Sequence, residues 1–184
     1  NRIGIPGDFE TPEQVIPKTP PVRAWETCMT INRTWAYNKN DTNYKSTTQL
    51  IRILIEVASK GGNFLLNVGP TPEGTIQPEF EERLRGIGAW LKVNGEAIYG
   101  TSAGPLQDLP FARTTAKGNT IYLHVFDWPK GALEVPGLPA RVRQVSLLAG
   151  GQPLKFTQRG NRLSIQIPAE MPDAQATVLV MRTK

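Results

Sequence analysis

Hydrophobic patterning changes near residue 101, and this change limits the architectures open to the chain. Before that point, continuous apolar segments alternate between the lengths typical of helices and of strands. After it, apolar and polar residues alternate with period two in short segments separated by Gly, Pro and Asn, a pattern typical of antiparallel strands joined by turns. The patterning therefore predicts two parts, an α/β part over residues 1–100 and an all-β part over residues 101–184.

Three elements are predicted in the first part. Ser46 can cap a helix that runs to about Ser59 and has little polar face, so it should be mostly buried. The run NFLLNVGP has the length and continuity of a parallel strand covered on both faces. A second helix is predicted from Pro78, with apolar residues at intervals of three and four. Helix, buried strand and helix in this order indicate the end of an α/β repeat.

The second part contains four segments that predict β-strands: NTIYLHVFDW, ARVRQVSLLAG, GNRLSIQIP and ATVLVMRT. Short strands at this spacing fit a small antiparallel sandwich. The chain begins at Asn1 rather than Met, inside what reads as the end of a strand. We therefore expect a piece of something longer, in which the last part of an α/β domain precedes a complete β domain.

Charge and cysteine content exclude several function classes. The formal net charge is +5, but Lys and Arg are scattered singly, which argues against a nucleic-acid partner. No apolar run approaches the ~20 residues that a membrane helix requires. Cys28 is the only cysteine and His124 the only histidine, so neither an internal disulfide nor a metal site of His and Cys is predicted. The run GGNFLLNVGP is rich in glycine but lacks the Lys and the spacing of a phosphate loop.

Carboxylate side chains occur near tryptophans in the stretches GDFETPE and WETCMTINRTWAY, and they are the side chains best suited to acid–base catalysis. Cleavage of a glycosidic bond generally uses two carboxyl groups, and an aromatic face packs on the C–H surface of a sugar while excluding water. Glu13 and Glu26 are the candidates. The residues alone favour an N-cap or turn carboxylate for Glu13, a solvated strand residue or structural ion-pair partner for Glu26, and core packing for the tryptophans.

Five motifs carry a family resemblance: NRIG, GDFETPEQ, WETCMTINRTWAYN, SKGGNFLLNVGPTPEGTIQ and ERLRGIGAWLKVNGEAIYGT. Together they closely resemble the C-terminal half of the α-L-fucosidases of glycoside hydrolase family 29, densely from residue 1 to about 101. The resemblance implies the C-terminal part of a TIM-type (β/α) barrel followed by an antiparallel β-sandwich. It also implies removal of terminal α-L-fucose from glycans with retention of configuration, by an Asp nucleophile and a Glu acid/base, without metal or cofactor.

The resemblance implies roles for individual residues. Glu13 is similar to the acid/base of bacterial members and Glu26 to that of animal members, and we favour Glu13. Arg2 is similar to an arginine that reaches fucose and its nucleophile, and Trp35 to an aromatic residue that packs against the C5 methyl side of the sugar. Trp25 is expected to be structural. The nucleophile and the sugar-binding histidines precede this region in the family, and Asp8 is not a substitute.

These roles predict that the 184-residue chain is inactive alone and needs the missing N-terminal part of the barrel as a partner. Its open sheet edge would favour self-association. The alternative is a non-catalytic carbohydrate-binding or structural fragment that associates with another chain.

Overall fold

The computed structural model describes residues 7–107 and 109–184, which divide into two compact units at Lys92 and Val93. The α/β elements come first in the chain. They are β1 (Glu26–Thr30), α1 (Thr47–Ser59), β2 (Asn63–Asn67) and α2 (Pro78–Asn94). Neither helix among the described residues is both long enough and apolar enough to cross a membrane.

β1 and β2 are parallel neighbours, paired in register from Glu26 with Asn63 to Thr30 with Asn67. Residues 10–14 run alongside the other edge of β1, where Glu10 and Glu13 form parallel bridges with Trp25 and Cys28. Parallel strands place their carboxyl ends at one edge of a sheet. The loops that follow β1 and β2 therefore begin at the same edge.

The predicted helix after Ser46 is confirmed. The Ser46 side chain accepts a hydrogen bond from the Gln49 amide, and the Gln49 side chain accepts one from the Ser46 amide, which completes a capping box. The apolar side of α1 contributes Leu50 to a small core with Ile31 and Phe80. Ile31 directly follows β1, Leu50 lies in α1 and Phe80 lies in α2. This small core therefore joins both helices to one face of the sheet.

The prediction that the strand NFLLN is covered on both faces is wrong for this chain. Leu66 packs against the small core, but Leu65 is 53% exposed. Leu65 is paired with Cys28, so both side chains lie on the face opposite the helices. No element among the described residues covers that face, and the sheet they form is not closed, so the barrel stays a prediction.

The second unit consists of two antiparallel sheets. Its strands are β3 (Ser102–Ala103), β4 (Ala112–Lys117), β5 (Thr120–Val125), β6 (Ala132–Val135), β7 (Val142–Leu147), β8 (Phe156–Arg159), β9 (Arg162–Gln166) and β10 (Thr177–Thr183). One sheet has the order β3-β4-β5-β10-β7 and the other β6-β9-β8. Alternate residues of both sheets, such as Leu123, Leu163 and Leu179, form one shared core. The predicted antiparallel all-β part is therefore confirmed.

Candidate functional site

Two of the residues predicted to serve the site are in direct contact. The indole Nε1–H of Trp35 donates a hydrogen bond to Oε1 of Glu13 at 3.1 Å, across 22 residues of sequence. Both side chains are exposed, Trp35 to 40%. The contact therefore holds a carboxylate beside an aromatic ring on an open surface, where the ring could pack on a sugar and the carboxyl could exchange a proton with a substrate.

Glu13 owes its position to the extended segment that accompanies β1. Beside its bridge to Cys28, the Gln14 amide donates to the Cys28 carbonyl at 2.9 Å. The Gln14 side chain also makes two hydrogen bonds to Thr30, the last residue of β1. Its Nε2 donates to Thr30 Oγ1 at 3.0 Å, and its Oε1 accepts from the Thr30 amide at 3.3 Å. Gln14 has a φ of 58°, in the region that non-glycine residues rarely adopt. These bonds hold the turn that immediately follows Glu13.

Glu26 lies at the amino end of β1. It is the first residue of the strand, whereas Glu13 is level with Cys28. At about 3.3 Å per residue, Glu26 is about 7 Å behind that level along the strand. Trp35 belongs to the loop that leaves the carboxyl end. The structure therefore brings Glu13 and Trp35 together and leaves Glu26 toward the amino end of the same strand.

The loop that carries Trp35 is organised by Asp41, a residue that the sequence did not single out. Its carboxylate is buried and accepts hydrogen bonds from the amides of Arg33 at 2.8 Å and Asn43 at 3.1 Å, and from the Thr34 hydroxyl at 3.4 Å. Burial raises the pKa of Asp41, but these hydrogen bonds and the Arg33 charge together hold its pKa below the ordinary value. An ionised Asp41 therefore fixes the loop.

Two cations complete the loop. With the Asn43 amide oriented so that its oxygen faces Arg33, that oxygen accepts hydrogen bonds from Nη2 and Nε of Arg33 at 2.6 and 2.7 Å. Lys45 Nζ donates to the Thr30 carbonyl at 2.6 Å. Burial lowers the pKa of Lys45, and the Asp41 charge opposes this effect. The polar run around Asp41 was the only sequence signal for this network, because apart from the bond between Asn43 and Asp41 its contacts join residues seven or more positions apart.

The other predicted residues are placed as follows. Arg2 lies outside the described residues. Trp25 is 3% exposed and its Nε1–H donates to the Lys60 carbonyl at 3.1 Å, so its expected structural role is confirmed. Within residues 7–107 and 109–184, no group of three or more His, Cys, Asp or Glu side chains is arranged to hold a metal ion.

Comparison with known sequences gives a consistent result. The family described as Alpha-L-fucosidase matches residues 1–96. An alpha-L-fucosidase of Branchiostoma floridae is 37% identical over 171 residues, which cover 86% of this chain and 38% of that protein. The human plasma alpha-L-fucosidase is 38% identical over 156 residues, which cover 78% of this chain and 33% of that protein. The chain thus spans little more than a third of the length of the curated relatives it matches.

Solved structures give the same result. Alpha-L-fucosidase isoenzyme 1 from Paenibacillus thiaminolyticus matches with a TM-score of 0.91 and 37% identity, over 97% of this chain and 45% of that one. The Thermotoga maritima alpha-fucosidase in complex with fucose matches with a TM-score of 0.82 and 35% identity, over 98% of this chain and 44% of that one.

Proposed function

This chain belongs to the α-L-fucosidase family, and on that premise we propose that it supplies the C-terminal part of a retaining α-L-fucosidase. The substrate would be a terminal α-L-fucoside of a glycan or glycoconjugate. A relative from Thermotoga maritima has been solved with fucose, which supports this choice of sugar. The proposal assigns Glu13 as the acid/base and leaves the nucleophile to a part of the enzyme outside this chain.

The proposed architecture has residues 1–100 as the last strands and helices of a TIM-type barrel, and residues 101–184 as the β-sandwich. The parallel pairing of β1, β2 and residues 10–14 supports this assignment. The exposed Leu65 face also fits it, because the inner face of a barrel is covered only when the other strands are present. The N-terminal portion that the relatives carry is therefore the proposed partner, and without it the chain should be inactive and prone to self-association.

The observation that carries the assignment of Glu13 is its hydrogen bond from Trp35, near the carboxyl ends of the parallel strands. In barrel enzymes, catalytic groups sit on the loops at those ends. Glu26 begins β1 and would lie deeper along the same strand. We therefore assign Glu26 to support of the site rather than to proton transfer.

The mechanism follows from two displacements. An aspartate of the N-terminal portion attacks C1 of fucose while the Glu13 carboxyl gives its proton to the leaving oxygen, so the glycosidic bond breaks and a fucosyl ester forms. The Glu13 carboxylate then takes a proton from water as the water oxygen attacks C1 and releases the aspartate. Acid/base assistance of this kind contributes about 10²- to 10⁴-fold to the rate.

Trp35 and Arg2 complete the proposed pocket. The Trp35 ring uses its N–H on Glu13, which leaves its partly exposed face for the C5 methyl side of fucose. Arg2 would direct its forked donors to sugar oxygens and keep the nucleophile ionised. None of these steps uses a metal or a cofactor.

The test compares Glu13→Ala and Glu26→Ala in the enzyme assembled with its N-terminal portion. Loss of the acid should reduce cleavage of a fucosyl disaccharide by about 10²- to 10⁴-fold, because its leaving group needs a proton. A dinitrophenyl fucoside needs none, so formation of its fucosyl ester should hardly change. We expect this contrast for Glu13→Ala only. The same contrast for Glu26→Ala only would move the role to that residue, and an inactive parent enzyme would favour a carbohydrate-binding fragment.

A further inference from the structure

The loop that presents Trp35 rests on the end of β2. Asn67, the last residue of that strand, donates a hydrogen bond from Nδ2 to the Trp35 carbonyl at 2.9 Å. The same tryptophan donates through its indole to Glu13. A continuous chain of two hydrogen bonds therefore runs from the Asn67 amide, through Trp35, to the carboxylate.

Gly69 allows the backbone of the same loop to approach closely, because it has no side chain. A Cβ on this buried glycine would lie 2.9 Å from the Ala36 carbonyl carbon and the Tyr37 nitrogen, and 3.1 Å from the Trp35 carbonyl oxygen. All three are backbone atoms, so they cannot avoid a side chain by changing rotamer. Gly69 is not among the glycines with positive φ. Close approach of the loop, rather than an unusual backbone angle, therefore requires glycine here.

We propose that Asn67 and Gly69 are positioning residues, which place the Glu13 carboxyl for proton transfer by fixing the Trp35 loop. This inference rests on the proposed function, because it assumes that Glu13 transfers the proton. Proton transfer requires the carboxyl to be within hydrogen-bond reach of the leaving oxygen, and a misplacement of about 1 Å can cost about a hundredfold in rate. The motif NFLLNVGP thus contributes to the reaction through the loop that packs on it.

The chain offers a matched control for each residue. Asn119 is the same residue type in the exposed turn between β4 and β5 of the second unit, so Asn119→Ala controls for Asn67→Ala. Gly88 lies in α2, and a Cβ there would meet nothing within 4 Å. Gly88→Ala therefore controls for Gly69→Ala.

The first readout needs no activity. In the ¹⁵N-labelled 184-residue chain, the indole N–H signal of Trp35, assigned with Trp35→Phe, reports its hydrogen bond to Glu13. Glu13→Gln, Asn67→Ala and Gly69→Ala should each shift this signal, whereas the two control substitutions should leave it in place. An unchanged signal in Asn67→Ala and Gly69→Ala, with a shift in Glu13→Gln, would overturn the proposal.

The second readout separates positioning from a purely structural role. In the enzyme assembled with its N-terminal portion, Asn67→Ala should lower kcat/KM for a fucosyl disaccharide about tenfold and Gly69→Ala about a hundredfold. With a saturating dinitrophenyl fucoside, both should lower the rate of fucosyl-ester formation less than threefold, since that step needs no acid and saturation removes any loss of sugar binding through Trp35. Equal losses on both substrates, or losses no greater than those of the controls, would overturn the proposal. An inactive parent enzyme would instead refute the proposed function, and the indole signal would still decide whether Asn67 and Gly69 set the contact.

Discussion

Acid should destabilise the second unit through one residue, His124. Its side chain is completely buried in β5, and its Nε2 lies 3.0 Å from Thr115 Oγ1. That hydroxyl also donates to the Ala97 carbonyl at 2.6 Å, so Thr115 links the imidazole to the backbone. Burial, only partly offset by a backbone hydrogen bond to Ala97, lowers the pKa of His124 to about 3. The folded protein therefore holds a neutral imidazole at neutral pH.

The expected loss follows from linkage. An unfolded histidine has a pKa near ~6.5, so between that value and about 3 the unfolded state binds a proton that the folded state does not. This contribution to stability is complete above pH ~6.5 and falls by about 1.4 kcal/mol for each unit that the pH drops. The loss amounts to about 2 kcal/mol at pH ~5 and about 3 kcal/mol at pH ~4.

Methionine labels allow the unfolding of each unit to be followed separately. Met181 is buried in the core of the sandwich, and Met29 is buried in β1 of the first unit. Urea titrations of the ¹³C-methyl-methionine protein at pH 7.5 and pH 4 would compare the parent with His124→Gln and His124→Asn. The free energy of unfolding at Met181 should fall about 3 kcal/mol further in the parent than in either variant, with no such difference at Met29. Equal pH dependence at Met181 in all three proteins would refute the reasoning.

Three further outcomes are expected. Gly62→Ala should destabilise the first unit by about 2–3 kcal/mol in urea titrations read at Met29, because its Cβ would lie 2.3 Å from Trp25 ring atoms. Tyr122→Phe should cost about 1–2 kcal/mol by removing a 2.7 Å hydrogen bond to Glu96. Burial and that bond raise the pKa of Tyr122 to about 12, so as the pH rises from ~10 toward ~12 the stability read at Met181 should fall further in the parent than in the variant. Asp41→Asn should shift the Trp35 indole signal at neutral pH. It should also remove the stabilisation that the parent loses as the pH falls through the lowered pKa of Asp41. An unchanged indole signal would show that the Trp35 loop does not depend on the Asp41 charge.

Elements with local signals were predictable from the sequence. Ser46 and Gln49 are three residues apart, so the cap of α1 is encoded within one turn. Pro78 likewise marks the first turn of α2. The exposure of Leu65 was not predictable. A continuous apolar strand indicates that both of its faces are covered, but it does not show whether the covering elements lie in the same chain.

The candidate site was predictable only in part. Glu13 was a candidate from its surroundings and Trp35 was singled out by the family resemblance, but their contact joins positions 22 residues apart. Gln14 and Asn67 were not singled out, since a polar amide has no periodicity to mark it and its role depends on which carbonyl or hydroxyl the fold brings within reach. Tertiary proximity, rather than composition, thus distinguishes the residues that hold the site.

Assignment of Glu13 as the acid/base is tested most directly by azide in the Glu13→Ala enzyme, with a dinitrophenyl fucoside as substrate. Without the base, the fucosyl ester should accumulate, and azide should accelerate turnover because it attacks C1 without needing deprotonation. Two successive inversions predict α-L-fucosyl azide as the product. A β-configured azide, no acceleration, or acceleration confined to Glu26→Ala would contradict the assignment.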